Sequence, residues 1–180
     1  MFGCRWISAR SQLSQRFETN TAALTQQIAA AQQMQALAAR VNTIISTLDD
    51  LSSQLTATQS ALRASRDSSN KNIPAALTEI GGTISDLTHF RDSVLARPLA
   101  GLGYRQYPRL REEVQSVSGM VARGSRAPTA GEMLRAGELK TETDQAQARL
   151  DAIVAGRIGK INSLLAGMPH IIVPPIRIMQ

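Results

Sequence analysis

A single cysteine, Cys4, stands in the 180 residues, so no internal disulfide framework can hold the chain, and the redox compartment stays open. Aromatic residues are almost as scarce, limited to Phe2, Trp6, Phe17, Phe90, Tyr104 and Tyr107. Ala, Leu, Ile and Val must therefore fill any core. With Gln, Glu and Arg they favour helix, whereas the β-branched and aromatic runs of a β-sandwich are missing. No stretch approaches the roughly 18 apolar residues of a membrane span, and no apolar run of signal-peptide length precedes Cys4. As written, the chain reads as soluble and unexported, hence cytoplasmic. The two histidines, His89 and His170, lie far apart with no Cys or second His at ligand spacing, so a structural zinc site is not expected.

The net charge of +6 comes mostly from arginines within 97–126 and from Arg157 onward. They are neither interleaved with aromatics for base stacking nor gathered into a basic run of five to eight residues, so no nucleic-acid partner is expected. A solvated or intramolecularly paired helix face is the simpler reading.

What the chain does have is helical periodicity and clear punctuation. Residues 21–65 contain no Gly and no Pro, and nothing in them stops a helix of many turns. Met34, Leu37, Val41, Ile44, Leu48, Leu51, Leu55 and Leu62 follow steps of three and four, with Thr58 in the one polar slot. This is a heptad seam, expected to pack inside an antiparallel bundle, with a parallel intermolecular coiled coil as the alternative. A polar turn from Asp67 to Asn72 leads to Pro74, which suits a first helical turn. The second helix is expected from Ile73, with Leu77, Ile80, Ile84, Leu87 and Val94 on its stripe, and fades at Arg97-Pro98. Gly81-Gly82 inside it implies a close backbone crossing or a kink.

Residues 98–108 read as a connector. A third helix is expected from Pro108, with Leu110, Val114, Val117 and Val121 on one face and Gly124 as its stop. Behind Pro128, Thr129 and Glu132 have the spacing of a capping box. The fourth helix then carries Met133, Ala136, Leu139, Thr143, Ala146, Leu150, Ile153, Ile158, Ile161 and Leu165, and ends at Gly167-Met168-Pro169. Prolines keep the apolar tail from being helical, so it is expected to lie extended along a groove of the bundle or to meet a partner's sheet edge. The fold class is all-α: an elongated antiparallel bundle of about four principal helices with an extended C-terminal tail. Its parts are an irregular or partly helical lead-in at 1–19, the bundle at 20–169 and the tail at 170–180.

Catalytic patterns fare poorly. Ser68-Ser69-Asn70-Lys71 matches the Ser-x-x-Lys of serine acyl enzymes but falls in a polar turn without companion motifs. The glycine spacing from Gly119 to Gly124 is followed by Ser125 where a phosphate loop needs Lys. His89, among Asp86, Arg91 and Asp92, reads as a surface histidine. Asp49-Asp50 and Glu112-Glu113 are adjacent and so diverge around a helix. No catalytic, cofactor-binding or metal-binding residue is expected, and no cofactor.

Tyr107-Pro108-Arg109-Leu110, the Val-x-x-Gly rhythm ending at Gly124, Ala127-Pro128-Thr129, Asn162-Ser163-Leu164-Leu165 and Met168-Pro169-His170-Ile171 resemble the C-terminal helical region of bacterial sortilin-like proteins. These are β-propeller proteins with BNR or WD40/YVTN-like repeats, often labelled glycosyl hydrolases and often exported. The likeness includes the stretch from Ile7 to Phe17 and covers about 7–174. It implies a helical tail that follows a propeller and a β-domain, with the propeller as an intramolecular protein partner. Neither propeller repeats nor an Asp-box occur in the chain, and residues 1–5 depart from the pattern, which implies a start inside a longer gene, a split gene or a remnant. The expected function is that of a non-catalytic structural or interaction module. A self-associating coiled-coil adaptor is the rival, followed by a hydrolase-associated activity hidden from pattern reading.

Overall fold

A computed structural model describes residues 4–65, 71–98, 106–123, 126–166 and 171–173, the side chains of 4–20 excepted. The described residues are all-α and include no strand. Helix α1 (Cys4–Ala64) comes first, and α2 (Ile73–Phe90) continues into a π-helical turn at Arg91–Leu95. Next come α3 (Leu110–Ala122) and α4 (Ala130–Ile153). A second π-helical turn, Val154–Ile158, joins α4 to α5 (Gly159–Leu164).

The helices share three columns. Asp49 meets Arg91 while Gln59 faces Gly81, so α2 runs antiparallel to α1. Helix α3 takes over the same column: Arg109 reaches back to the Asp92 carbonyl, and Gln27 of α1 donates to the Val121 carbonyl at its far end. The third column is α4 with α5. Met34 and Leu37 share a cleft with Met133 and Ala136, and Arg40 pairs with Asp144, so this column runs parallel to α1. Arg149 over the Phe90 ring and Lys160 on Glu79 set it antiparallel to α2. From Gln27 to Ala64 the three columns extend about 55 Å at 1.5 Å per residue.

The eight seam residues of α1 are all buried, with Val41, Leu51 and Leu55 fully enclosed. Leu110, Val114, Val117 and Val121 of α3 face them, and Leu139, Thr143, Ala146 and Leu150 line the third column. A narrow stripe suffices because each column meets only two others. The buried threonines are satisfied within their own helices. Thr47, Thr83 and Thr143 donate to carbonyls four residues back at 2.9, 2.8 and 2.7 Å.

Several expected boundaries move. Helix α1 begins at Cys4, not near Thr21, so the described part of the 1–19 lead-in is continuous helix. The reason is composition: no Gly or Pro occurs between Gly3 and Pro74. Helix α3 starts at Leu110, two residues after Pro108, because the Glu112 carboxylate accepts from the Arg109 backbone N–H at 2.9 Å and makes Arg109 the cap.

The buried stripe also changes phase. In α2 it follows Ala76, Ile80, Thr83, Leu87 and Phe90, and an unbroken α-helix would next bury Val94. The π turn, marked by an Ala96 N–H to Arg91 carbonyl bond of 2.9 Å, absorbs one extra residue. Leu95 is therefore enclosed, while Val94 is 36% exposed. The same device after Ile153 brings Ile158, Ile161 and Leu165 back onto the core side. Met133, expected on the α4 stripe, is exposed because it lies at the open mouth of the α1–α4 cleft. Gly81 and Gly82 mark no tight crossing: they lie within continuous α2, and an added Cβ would stand 3.5 Å from the Gln59 amide nitrogen and 3.6 Å from the Arg157 guanidinium.

Candidate functional site

The least ordinary chemistry lies where the tail meets the bundle. Asn162, on α5, donates from Nδ2 to the Ile171 carbonyl at 3.0 Å and accepts the Ile171 N–H on Oδ1 at 2.8 Å. Gln54, on α1, does the same for the next residue: Nε2 donates to the Ile172 carbonyl and Oε1 accepts the Ile172 N–H, both at 2.9 Å. In an extended chain the N–H and C=O of one residue point to one edge and those of the next to the other. Two side-chain amides thus play the part of neighbouring strands on opposite edges. The side chains alternate accordingly, with Ile171 buried in the core and Ile172 70% exposed, while Val173 packs partly against the core. The expectation of an extended tail in a groove concerns 170–180, of which 171–173 are described.

A second concave feature is a cleft of about 370 Å³ between α1 and α4. Met34, Ala36, Leu37, Met133, Ala136 and Gly137 form apolar walls, and Gln33, Arg40 and Lys140 supply polar edges. Arg40 and Lys140 both engage Asp144, at 2.7 and 2.9 Å. The Lys140 ammonium, then Arg40, hold the Asp144 carboxyl below the usual carboxylate range. With its cations turned to Asp144, the cleft offers shape and apolar surface.

Elsewhere the charged groups tie helices together. Arg135 reaches Glu113 on α3 as well as Glu138 and Glu142 on its own helix, and these three carboxylates, Glu113 foremost, raise its pKa. Arg157 bridges Glu79 at 3.3 Å and Asp86 at 2.5 Å. Lys160, bonded to Glu79 at 2.7 Å, and then Arg157 hold the Glu79 carboxyl below its ordinary value. The adjacent carboxylates of α3 serve different helices: Glu112 binds the backbone N–H groups of Arg97 and Arg109, and Glu113 turns to α4. Much of the arginine-rich charge thus forms intramolecular pairs.

The punctuation residues have definite places. Thr129 is the α4 cap: its Oγ1 accepts from the Glu132 N–H at 3.2 Å, and Glu132 accepts from the Thr129 N–H at 2.8 Å. Arg126, closing on Glu132 at 2.6 Å, together with the Thr129 N–H, lowers the Glu132 carboxyl to about 2. Pro128 directly precedes the cap, and Pro108 precedes the Arg109 cap. Gly124 and Ser68-Ser69-Asn70 lie outside the described residues. His89 is exposed on α2. Among the described residues, no group of three or more His, Cys, Asp or Glu is placed to hold a metal ion, and no helix is long and apolar enough to cross a membrane.

Sequence reasoning passed over Gln54 and took Asn162 only as part of a resembling segment. The signal that could have found them is weak: a long polar side chain beside the seam and another opposite an apolar, proline-bounded tail. No protein-family model, curated protein or solved structure matches the chain.

Proposed function

We propose that the chain is a non-catalytic helical packing and interaction module, the tail domain or a fragment of a sortilin-like propeller protein. The observation that supports the module reading is the closure of the α1 seam: Met34 to Leu62 are all buried against helices of the same chain. A seam satisfied internally has no need of a second copy. Its charged groups also tie helix to helix, as Arg135 does with Glu113 and Arg157 with Asp86. Light scattering on the purified chain tests this, with a monomer expected. A propeller-coding sequence upstream of the Met1 codon is expected from the sortilin-like ancestry, and its absence in every frame would remove that part of the reading.

One observation favours the coiled-coil adaptor as a second reading. Helix α1 runs about 35 Å from Cys4 to Gln27, past the level where α3 ends and α4 begins. On that arm and its root, Leu24 and Ile28 are 44% and 50% exposed. A concentration-dependent dimer that a Leu24→Glu, Ile28→Glu double variant dissolves would establish self-association through this arm.

A further inference from the structure

We propose that the cleft between α1 and α4 is a binding site for a single-chain anionic amphiphile, a free fatty-acid carboxylate, whose head meets Arg40 and Lys140 and whose chain lies toward Met133. The inference depends neither on a propeller ancestry nor on self-association. The cleft has two unlike ends, and the parallel course of its helices makes them so. From Gln33 to Arg40 on α1 and from Met133 to Lys140 on α4, each wall advances about 10 Å at 1.5 Å per residue. Both cations therefore stand at one end, and Met34 and Met133 stand at the other. Between them Leu37, Ala136 and Gly137 form an apolar lining. A ligand charged at one end and apolar along the rest matches this order.

The charge at the cationic end favours an anion. Arg40 Nη2 is 2.7 Å from Asp144 Oδ1 and Lys140 Nζ is 2.9 Å from Asp144 Oδ2, so two cations share one carboxylate. That trio keeps a positive charge in surplus, on a chain whose net charge is +6. A second carboxylate completes the pairing, since the Lys140 ammonium has N–H donors beyond the one that Asp144 takes. The walls suit a flexible chain. The volume of about 370 Å³ is that of an ordinary small-molecule site, and methionine side chains adapt to irregular apolar surfaces. Met133, 40% exposed at the mouth, gains cover when the chain lies against it.

The probe is decanoate, titrated below its micelle-forming concentration into the full chain with isotope-labelled methionine methyl groups. Calorimetry is expected to show saturable binding. Methyl shifts at Met34 and Met133 should be at least threefold larger than at Met120, a comparably exposed (42%) methionine of α3 outside the cleft. Gly137→Phe fills the cleft from a position where an added Cβ finds nothing within 4 Å, and should weaken binding at least tenfold without altering the helical circular dichroism. Decanol, with the same chain and no charge, should bind at least tenfold more weakly than decanoate, and Lys140→Gln should remove most of that difference. Absence of saturable binding, shifts at Met120 as large as at Met133, or equal binding of acid and alcohol overturns the proposal. So does decanoate binding indifferent to Gly137→Phe. Capture of the chain by anionic phospholipid vesicles without decanoate binding overturns it as well, because the ligand is then a membrane surface. Should Gly137→Phe unfold the chain, the methionine shifts and the acid–alcohol comparison in the unsubstituted protein decide.

Discussion

Gln54 and Ile172, 118 positions apart, exchange two hydrogen bonds of 2.9 Å, the amide of one side chain standing in for a neighbouring strand. This pairing joins the first helix to the extended segment that follows α5, in a structure otherwise built from helix seams. It also shows what an all-α bundle can do with an extended segment: it binds the backbone by side-chain amides and takes the Ile171 side chain into the core.

The seam should carry most of the stability. Leu48 is 1% exposed at the middle of the α1 seam, so Leu48→Ala is expected to cost about 3 kcal/mol in urea unfolding. Leu48→Asp should cost more, because it also brings an unpaired charge into the core. An unchanged midpoint for Leu48→Asp would mean that the stripe is not packed in solution.

Gly81 and Gly82 sit mid-helix with ordinary van der Waals room for a methyl group. Replacing either by Ala should raise stability by up to about 1 kcal/mol, through helix propensity and a less disordered unfolded chain. Chemical denaturation of each single variant checks this; a loss of stability would reveal a tighter approach of α1 or of Arg157.

The α4 cap makes a pH prediction. Glu132 titrates at about 2 in the fold against an ordinary value of 4.5, so its contribution is complete above about pH 5 and is lost as pH falls through about 2. Unfolding midpoints of the unsubstituted chain and Glu132→Gln should differ at pH 7 and converge under strong acid. Thr129→Ala removes the reciprocal bond and should cost about 1 kcal/mol at any pH.

The π turn in the third column can be tested by deletion. Removing Ala155, an exposed residue inside it, lets the segment revert to α-helix with Ile158, Ile161 and Leu165 still facing inward. Removing Thr141 instead turns the stretch from Thr143 to Ile153 by about 100° relative to the start of α4. Thermal melts should show the first variant near the parent and the second strongly destabilised. Equal loss in both would argue against the phase-correcting role.

Periodicity carried much of this fold. The seam of α1, the start of α2 at Ile73 and the Thr129–Glu132 capping box are local patterns, set by helix geometry and by side chains within four residues of one another. The step of five from Ile153 to Ile158 likewise holds the signature of the π turn. Val94 was misread because an α-helical count continued through a turn that accommodates one extra residue, and that choice belongs to the neighbouring columns.

The sequence by itself determined that the chain is helical, which stripes are apolar, and where α4 is capped, since each follows from propensity and short-range spacing. Tertiary structure alone decided that α2 and α3 stack end to end in one column, with α1 and α4 parallel beside it, because packing partners are selected by surfaces far apart in sequence. The two-amide hold on Ile171 and Ile172 belongs to the second kind: Gln54 and Asn162 are unremarkable until packing brings α1 and α5 to opposite edges of the same extended segment.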